Sequence, residues 1–463
     1  MADDVNDPTM LDAVGIAQAI RSRQFSAVAV VSAHLSRIDR YNPTLNAVVT
    51  LHDDDALALA AEADRALERG DGVGPLHGVP FTIKDAFETA GVRTTSSHRP
   101  LEHHVPAHDA VVVARLKSAG AILMGKSNMP ELAGALDCYS DLNGRASNPW
   151  DLRRTPGGST GGGAAGVAAR LTPFEVGSDA AGSIRVPAHF CGILGFKPTD
   201  RLIPWAGHIP ELPGSPRVFR QCVSIGPLAR SVRDLELLTR ILAGPHPRDW
   251  EVPPISLDPV PPPTVEGIRL RWCSNFGAEV TDMATALLLE QFLTSLSAAG
   301  AHLDEADPWG SDIVQIVQRG QGLFMLMAMS ATENENADES DSTHDLAVAL
   351  SSRDAAITQS EAFLDGWDAL LAPVAPGPAF RHQSTRGEPI PIDDREVGYW
   401  SFMNFCVPYN LTGQPSIVLP IGRTADGLPV GVQVISRRWD DMRLLAIAAA
   451  LEPFTRRGDP GVS

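Results

Sequence analysis

Residues 154–199 read RTPGGSTGGGAAGVAARLTPFEVGSDAAGSIRVPAHFCGILGFKPT. Two Gly/Ser clusters, 157–163 and 177–183, flank an apolar segment. Glycine serves where the backbone turns sharply or approaches another group closely. Two such clusters, each carrying serines, predict loops that meet around a reacting atom. The plainer alternative is a pair of flexible connections between core elements. The chemistry needed to choose between them has to come from elsewhere in the chain.

Composition narrows the field. The 463 residues are 44% hydrophobic and 20% charged, which suits a globular chain with a sizeable core. That length fits one large α/β unit or about three smaller domains. A formal net charge of −18 argues against nucleic acid and anionic membrane surfaces as partners. The acidic start MADDVNDPTM has neither a signal-peptide nor a transit-peptide pattern. The longest apolar run, 323–329, is too short to span a bilayer. Cys138, Cys191, Cys222, Cys273 and Cys406 are odd in number and lack metal-ligand spacing. Buried free thiols in a reducing, cytoplasmic setting account for them.

The positive charges are unevenly shared, with 34 arginines against only Lys84, Lys117, Lys126 and Lys197. Arginine stays protonated in proteins, whereas a buried lysine can deprotonate. Lys84 therefore draws attention, because it follows the apolar run Val79-Pro80-Phe81-Thr82-Ile83.

Periodicity places these motifs on elements. Apolar residues at helical spacing (Ile16, Ala19, Ile20, then Val28, Val31, Leu35, Ile38) predict helices through 10–70, the last over 54–68 and closed by Gly70. A strand is expected over 78–85, a helix over 109–118 with Asp109 as N-cap, and a strand over 121–124. Further strands are read at 174–176 and 193–196, and a helix at 231–242. Eight prolines in 245–263 predict an extended connection. The strand, helix and strand at 268–273, 283–299 and 301–303 have βαβ spacing, which favours parallel pairing. Residues 333–345 carry six acidic side chains and no basic one, the pattern of a solvated loop. Strands at 369–372, 416–421 and 429–435, with a turn at Asp426-Gly427, precede a closing helix at 440–451.

Several motifs fail on context. Residues 120–127 (GAILMGKS) match the phosphate-loop spelling, but the intervening apolar residues are themselves the strand. The glycines of 157–163 lack both a preceding strand and a ribose-binding acid about twenty residues on. Gly182-Ser183-Ile184-Arg185 is not a nucleophile elbow. His103, His104 and His108 lack a carboxylate partner for a metal. Serine activated by lysine remains. A serine hydroxyl needs a base, and neutral lysine supplies one where desolvation lowers its pKa. A second serine between them would relay the proton. Successive amides at Ala180, Ala181 and Gly182 would stabilise an oxyanion, each such donor being worth about 2.7–4 kcal/mol.

The chain resembles the amidase signature family, serine hydrolases with a Ser–cis-Ser–Lys triad. The matching segments are GVPFTIKD (78–85), GKSNMPELA (125–133), TPGGSTGGGAAGVAA (155–169), GSDAAGSIRVPAHFCGILGFKPT (177–199), IGPLARSVRDLELL (225–238) and GLPVGVQVIS (427–436). The resemblance implies Lys84 as base, Ser183 as nucleophile and Ser159 as bridging serine behind a cis Gly158–Ser159 peptide. It implies Ala180, Ala181, Gly182 and Ser183 as the oxyanion hole, with Asp179 and Arg185 as supports of the loop. One departure stands out, Ala181-Gly182-Ser183 where the family has Gly-Gly-Ser.

The expected fold is α/β, a single amidase-signature domain with a central twisted mixed sheet flanked by many helices. Its parts are N-terminal helices (1–70), a catalytic core (75–245), a variable substrate-side region (246–365) and C-terminal strands and helix completing the sheet (366–463). The expected activity is cofactor- and metal-independent hydrolysis of small or aryl amides, with water as co-substrate and a homodimer left open. The rivals are a carbamate hydrolase with esterase side activity, a glutaminase subunit of a tRNA-amidating complex, and a non-catalytic binding protein. The segment DRLIPWAGHIPELPGS (200–215) departs from what the glutaminase branch leads one to expect. Met129, Leu136, Trp205 and Phe324 are the candidates to face substrate, and 311–345 is a candidate lid.

Overall fold

The computed structural model describes residues 7–209, 221–277, 279–331 and 343–461, without the side chains of 324–331 and 343–345. Two sheets carry the architecture. The smaller has three strands, β1 (Val48–Leu51), β2 (Pro80–Lys84) and β3 (Ile122–Ser127), in the order β1-β3-β2. β3 runs parallel to β2 and antiparallel to β1, with Lys84 opposite Ser127.

The larger sheet has eight strands: β4 (Phe174–Asp179), β5 (Leu194–Lys197), β6 (Ser224–Ala229), β7 (Arg269–Trp272), β8 (His302–Glu305), β9 (Ala369–Pro373), β10 (Ser416–Arg423) and β11 (Pro429–Ile435). Their order is β8-β7-β9-β11-β10-β5-β6-β4. Only β8–β7 and β7–β9 pair in parallel; the remaining neighbours are antiparallel, so the sheet is mixed. The strand–helix–strand unit of β7, Met283–Ala298 and β8 pairs in parallel as its spacing predicts. β4, β5, β9 and β11 are buried along their whole length. Burial on both faces fits the near-continuous apolar run of β9, while β4 buries Glu175, Ser178 and Asp179 as well.

Twelve α-helices lie among the described residues. Apolar side chains of β2 reach the edge of the large sheet, where Phe81 stacks on Phe174 at 5.6 Å. Thr82 Oγ1 donates to Glu175 Oε2 at 2.6 Å beside that stack. This docking of β2 on β4 carries Lys84 to the second Gly/Ser cluster. The end of the first cluster opens the helix Gly161–Ala168, every residue of which is buried, while residues 157–160 form a buried turn leading into it. The cluster is packed along its whole length.

The structure departs from the sequence reading in a few places. Asp109 does not cap its helix, Val111–Ser118, whose N-cap is Ala110 without a side-chain bond. The Asp109 carboxylate instead accepts from the Ala90 amide and from Lys117 Nζ. β1 and β6 are strands that the periodicity did not reveal. The helix Ile313–Ala331 occupies most of the described part of the candidate lid, and the helix Thr343–Phe363 begins at its end. Of the acidic loop at 333–345, residues 333–342 lie outside the described residues.

Candidate active site

Lys84 ends β2 and is fully buried, with its Nζ 2.6 Å from Ser159 Oγ and 2.9 Å from Ser178 Oγ. Burial drives its pKa down to about 7, against a partial upward pull from Asp179, Cys138 and Glu175. A large fraction of neutral amine at neutral pH follows from desolvation alone. Ser159 is also buried, and the Gly158–Ser159 peptide is cis. Gly158 can only be glycine here, because a Cβ would stand 2.4 Å from the Ala135 carbonyl oxygen.

The second loop is built on Asp179, the last residue of β4. Its carboxylate accepts from the amides of Gly182 (2.8 Å), Ile184 (3.1 Å) and Arg185 (3.3 Å). Burial pushes this carboxyl up, but the Arg185 guanidinium outweighs it and holds the pKa well below the usual carboxylate range. Gly182 adopts φ +111°, a left-handed value that favours glycine. Ser183 follows, half-buried, just before the helix Arg185–Cys191. Its carbonyl accepts from the Thr160 amide at 3.2 Å, so the two Gly/Ser clusters are joined through the main chain.

Of the four expected oxyanion donors, Gly182 is engaged elsewhere because its N–H points to Asp179. Among the described residues, the amides of Ala180, Ala181 and Ser183 have no such acceptor. Ala181 lies outside the residues with positive φ, so its methyl is compatible with this backbone.

Each of the expected substrate-facing residues that is described has packing partners of its own. Met129 is buried, its carbonyl accepting from Ser97 Oγ at 2.6 Å. Leu136 is buried beneath Gly158, its amide donating to the Tyr399 hydroxyl at 2.7 Å. Trp205 packs on the His208 ring, centroids 4.1 Å apart. The Phe324 side chain lies outside the described residues.

Sequence reasoning missed the groups behind the lysine. Ser178 bonds Lys84, and His208 Nε2 lies 2.9 Å from Ser178 Oγ. Glu175, buried and bonded by Thr82 and Ser127, is pushed by burial up to about 7. The scarcity of lysine flagged Lys84 but also Lys126 and Lys197, which are buried for other reasons. Lys126 Nζ bonds the Phe87 carbonyl and Thr89 Oγ1, and Lys197 Nζ bonds the Pro198 carbonyl. Among the described residues, no three His, Cys, Asp or Glu side chains converge as a metal site. Among the same residues, no helix is long and apolar enough to cross a membrane.

This fold and this pair of serine loops define a hydrolase class. The Amidase family profile matches residues 29–313 and 314–445. An acylamidase from Rhodococcus erythropolis is 31% identical, covering 96% of this chain and 95% of that protein. A glutamyl-tRNA(Gln) amidotransferase chain from Synechococcus sp. (strain CC9605) is 32% identical, covering 94% of each. A solved bacterial aryl acylamidase superposes with TM-score 0.82 at 25% identity, over 96% of each chain. The chain belongs to the amidase signature family, and is on that basis a hydrolase of carbon–nitrogen bonds.

Proposed function

We propose that this amidase cleaves small or aryl amides without a cofactor, through an acyl-enzyme on Ser183. The observation that carries the reading is the buried Lys84, largely able to be neutral, with its Nζ 2.6 Å from Ser159 Oγ. Lys84 takes the Ser159 proton as Ser159 takes that of Ser183, and Ser183 Oγ bonds the scissile carbonyl carbon. The amides of Ala180, Ala181 and Ser183 face the charge that develops on the carbonyl oxygen. The proton held by Lys84 returns through Ser159 to the leaving amine as the C–N bond breaks. Water then cleaves the acyl-enzyme by the same relay, restoring Ser183. Similarity to an acylamidase and to an aryl acylamidase supports amides as the substrate class. A carbamate would pass through the same steps.

The second reading, a glutaminase component of a tRNA-amidating complex, is favoured by the glutamyl-tRNA(Gln) amidotransferase relatives. The isolated chain tested on anilide, carbamate, ester and glutamine substrates separates the two. Anilide turnover by the chain alone supports the first, and glutamine-only turnover dependent on partner chains overturns it. Mass spectrometry of the chain quenched during turnover should find the acyl group on the peptide containing Ser183.

A further inference from the structure

Lys84 has two hydroxyl neighbours, and only one of them leads to the nucleophile. A neutral amine has a single lone pair, so the proton of Ser178 could turn toward it and compete with Ser159. What fixes the direction of the Ser178 hydroxyl therefore decides whether Lys84 is available as a base.

His208 stands at that point. Its Nε2 is 2.9 Å from Ser178 Oγ, and His208, Ser178, Lys84 and Ser159 are all buried. The ring is clamped between Trp205, at 4.1 Å, and the edge of Phe87, at 4.9 Å. Its main chain is pinned beside the end of β2 by the Ile209 amide on the Ala86 carbonyl, at 2.7 Å, and the Glu88 amide on the Gly207 carbonyl, at 2.9 Å. Burial and the nearby Lys84 charge push the imidazole pKa well below its ordinary value, so the ring is neutral. Backbone groups of Ile209 and of His208 itself attract a ring proton. Nδ1 has no hydrogen-bond partner of good geometry among the described residues.

We propose that His208 is a positioning residue for Lys84: its unprotonated Nε2 accepts the Ser178 proton, so Ser178 offers Lys84 only an acceptor and the lysine lone pair is left to Ser159. The proton count closes in both states. With Lys84 neutral, one N–H donates to Ser178 and the lone pair receives the Ser159 proton. With Lys84 protonated, the same N–H still donates to Ser178 while a new one faces Ser159. The opposite tautomer, with Nε2–H donating, would turn the Ser178 proton onto the lone pair and block the relay.

The inference rests on the acyl-enzyme reading above, and the test separates the two. His208→Leu removes the acceptor, whereas His208→Gln can place Oε1 where Nε2 was. His208→Leu is expected to lower kcat on an anilide by about 10- to 100-fold, a fraction of what a positioned base contributes. KM should change little, and His208→Gln should recover most of kcat. Nitrogen-15 spectra of the wild-type protein, with the His208 signal assigned by its loss in His208→Gln, should show the Nδ1–H tautomer. Equal losses in the two variants, or an Nε2–H tautomer, would overturn the proposal. A Ser183→Ala variant that still hydrolysed the anilide would remove the acyl-enzyme reading itself. An inactive Ser183→Ala beside a His208→Leu with wild-type kcat would remove only the role of His208.

Discussion

Arg185 and Asp179 form a fully buried bidentate pair at the base of the nucleophile loop, with Nη2 to Oδ1 at 2.9 Å and Nε to Oδ2 at 3.0 Å. The same guanidinium reaches the Cys406 carbonyl and Gln433 Oε1, each at 3.1 Å, and Asn410 Oδ1. The carboxylate thus holds three loop amides only because its charge is neutralised from behind. Arg185→Ala leaves that charge alone in a dry site. Breaking a buried pair in this way costs about 3–5 kcal/mol. The urea midpoint should fall accordingly with the m-value unchanged, and a loss below about 1 kcal/mol would contradict the role assigned to the pair.

Lys84 sets the expected pH dependence. In the proposed mechanism the active form is the neutral amine, and burial has lowered its pKa to about 7. Activity is therefore lost as pH falls through about 7, by about tenfold per unit below it, and is flat above. Glu175 is one of the charges that pull the Lys84 value up. Glu175→Gln removes that pull, so the acid limb of kcat/KM should move to lower pH. A limb that moved up, or one near the ordinary lysine value, would be inconsistent with Lys84 as base.

Lys84 drew attention through the scarcity of lysine and the apolar run before it, and the roles expected of Ser159 and Ser183 came from the resemblance of the two Gly/Ser clusters to a known family. The structure places Lys84 Nζ 2.6 Å from Ser159 Oγ. The central sheet was legible where strands are apolar or nearly so, as in β9 and β11. β6 was not, because Gly226 and Pro227 interrupt it. Gly226 is required there by a close crossing, since a Cβ would stand 1.9 Å from the Phe196 carbonyl oxygen. β1, four residues between two helices, is too short to show a period. Asp109 fitted a capping pattern, but a tertiary amide and Lys117 claim its carboxylate. The tie between His208 and Ser178 spans 30 positions and has no local signature. The segment holding His208 stood out as a departure from a related branch and for Trp205, not for the histidine.

Tyr399 connects the C-terminal part of the chain to the first serine loop. Its hydroxyl accepts from the amides of Leu136 (2.7 Å) and Asp137 (3.0 Å) and donates to Asp137 Oδ1 at 2.6 Å. Arg386 adds a second hold on that carboxylate, at 3.1 Å. The loop so fixed lies directly under Gly158. Tyr399→Phe strands two buried amides, at a cost of about 1–3 kcal/mol for each unsatisfied group. A lowered thermal midpoint together with a lowered kcat is expected. Lost stability with kcat untouched would show that the loop does not govern the placement of Ser159.

Ala181 and Gly182 are adjacent, yet their substitutions should behave oppositely. Gly182 has φ +111°, and a Cβ there would meet Cys406 Cβ at 3.0 Å and Sγ at 3.1 Å. Gly182→Ala therefore adds backbone strain of about 1–3 kcal/mol and displaces the amides on either side. Stability and kcat should both fall. Ala181 is half-buried and free of a positive φ, so its methyl sits on an ordinary backbone. Ala181→Gly keeps the N–H and loosens the unfolded chain, for a loss of about 0.4–1 kcal/mol. Its effect on catalysis should be confined to acyl groups large enough to reach the vacated space, seen as a rise in kcat/KM across an anilide series of increasing acyl size. If Ala181→Gly instead abolished turnover of the smallest anilide, the methyl would be holding the loop rather than narrowing its mouth.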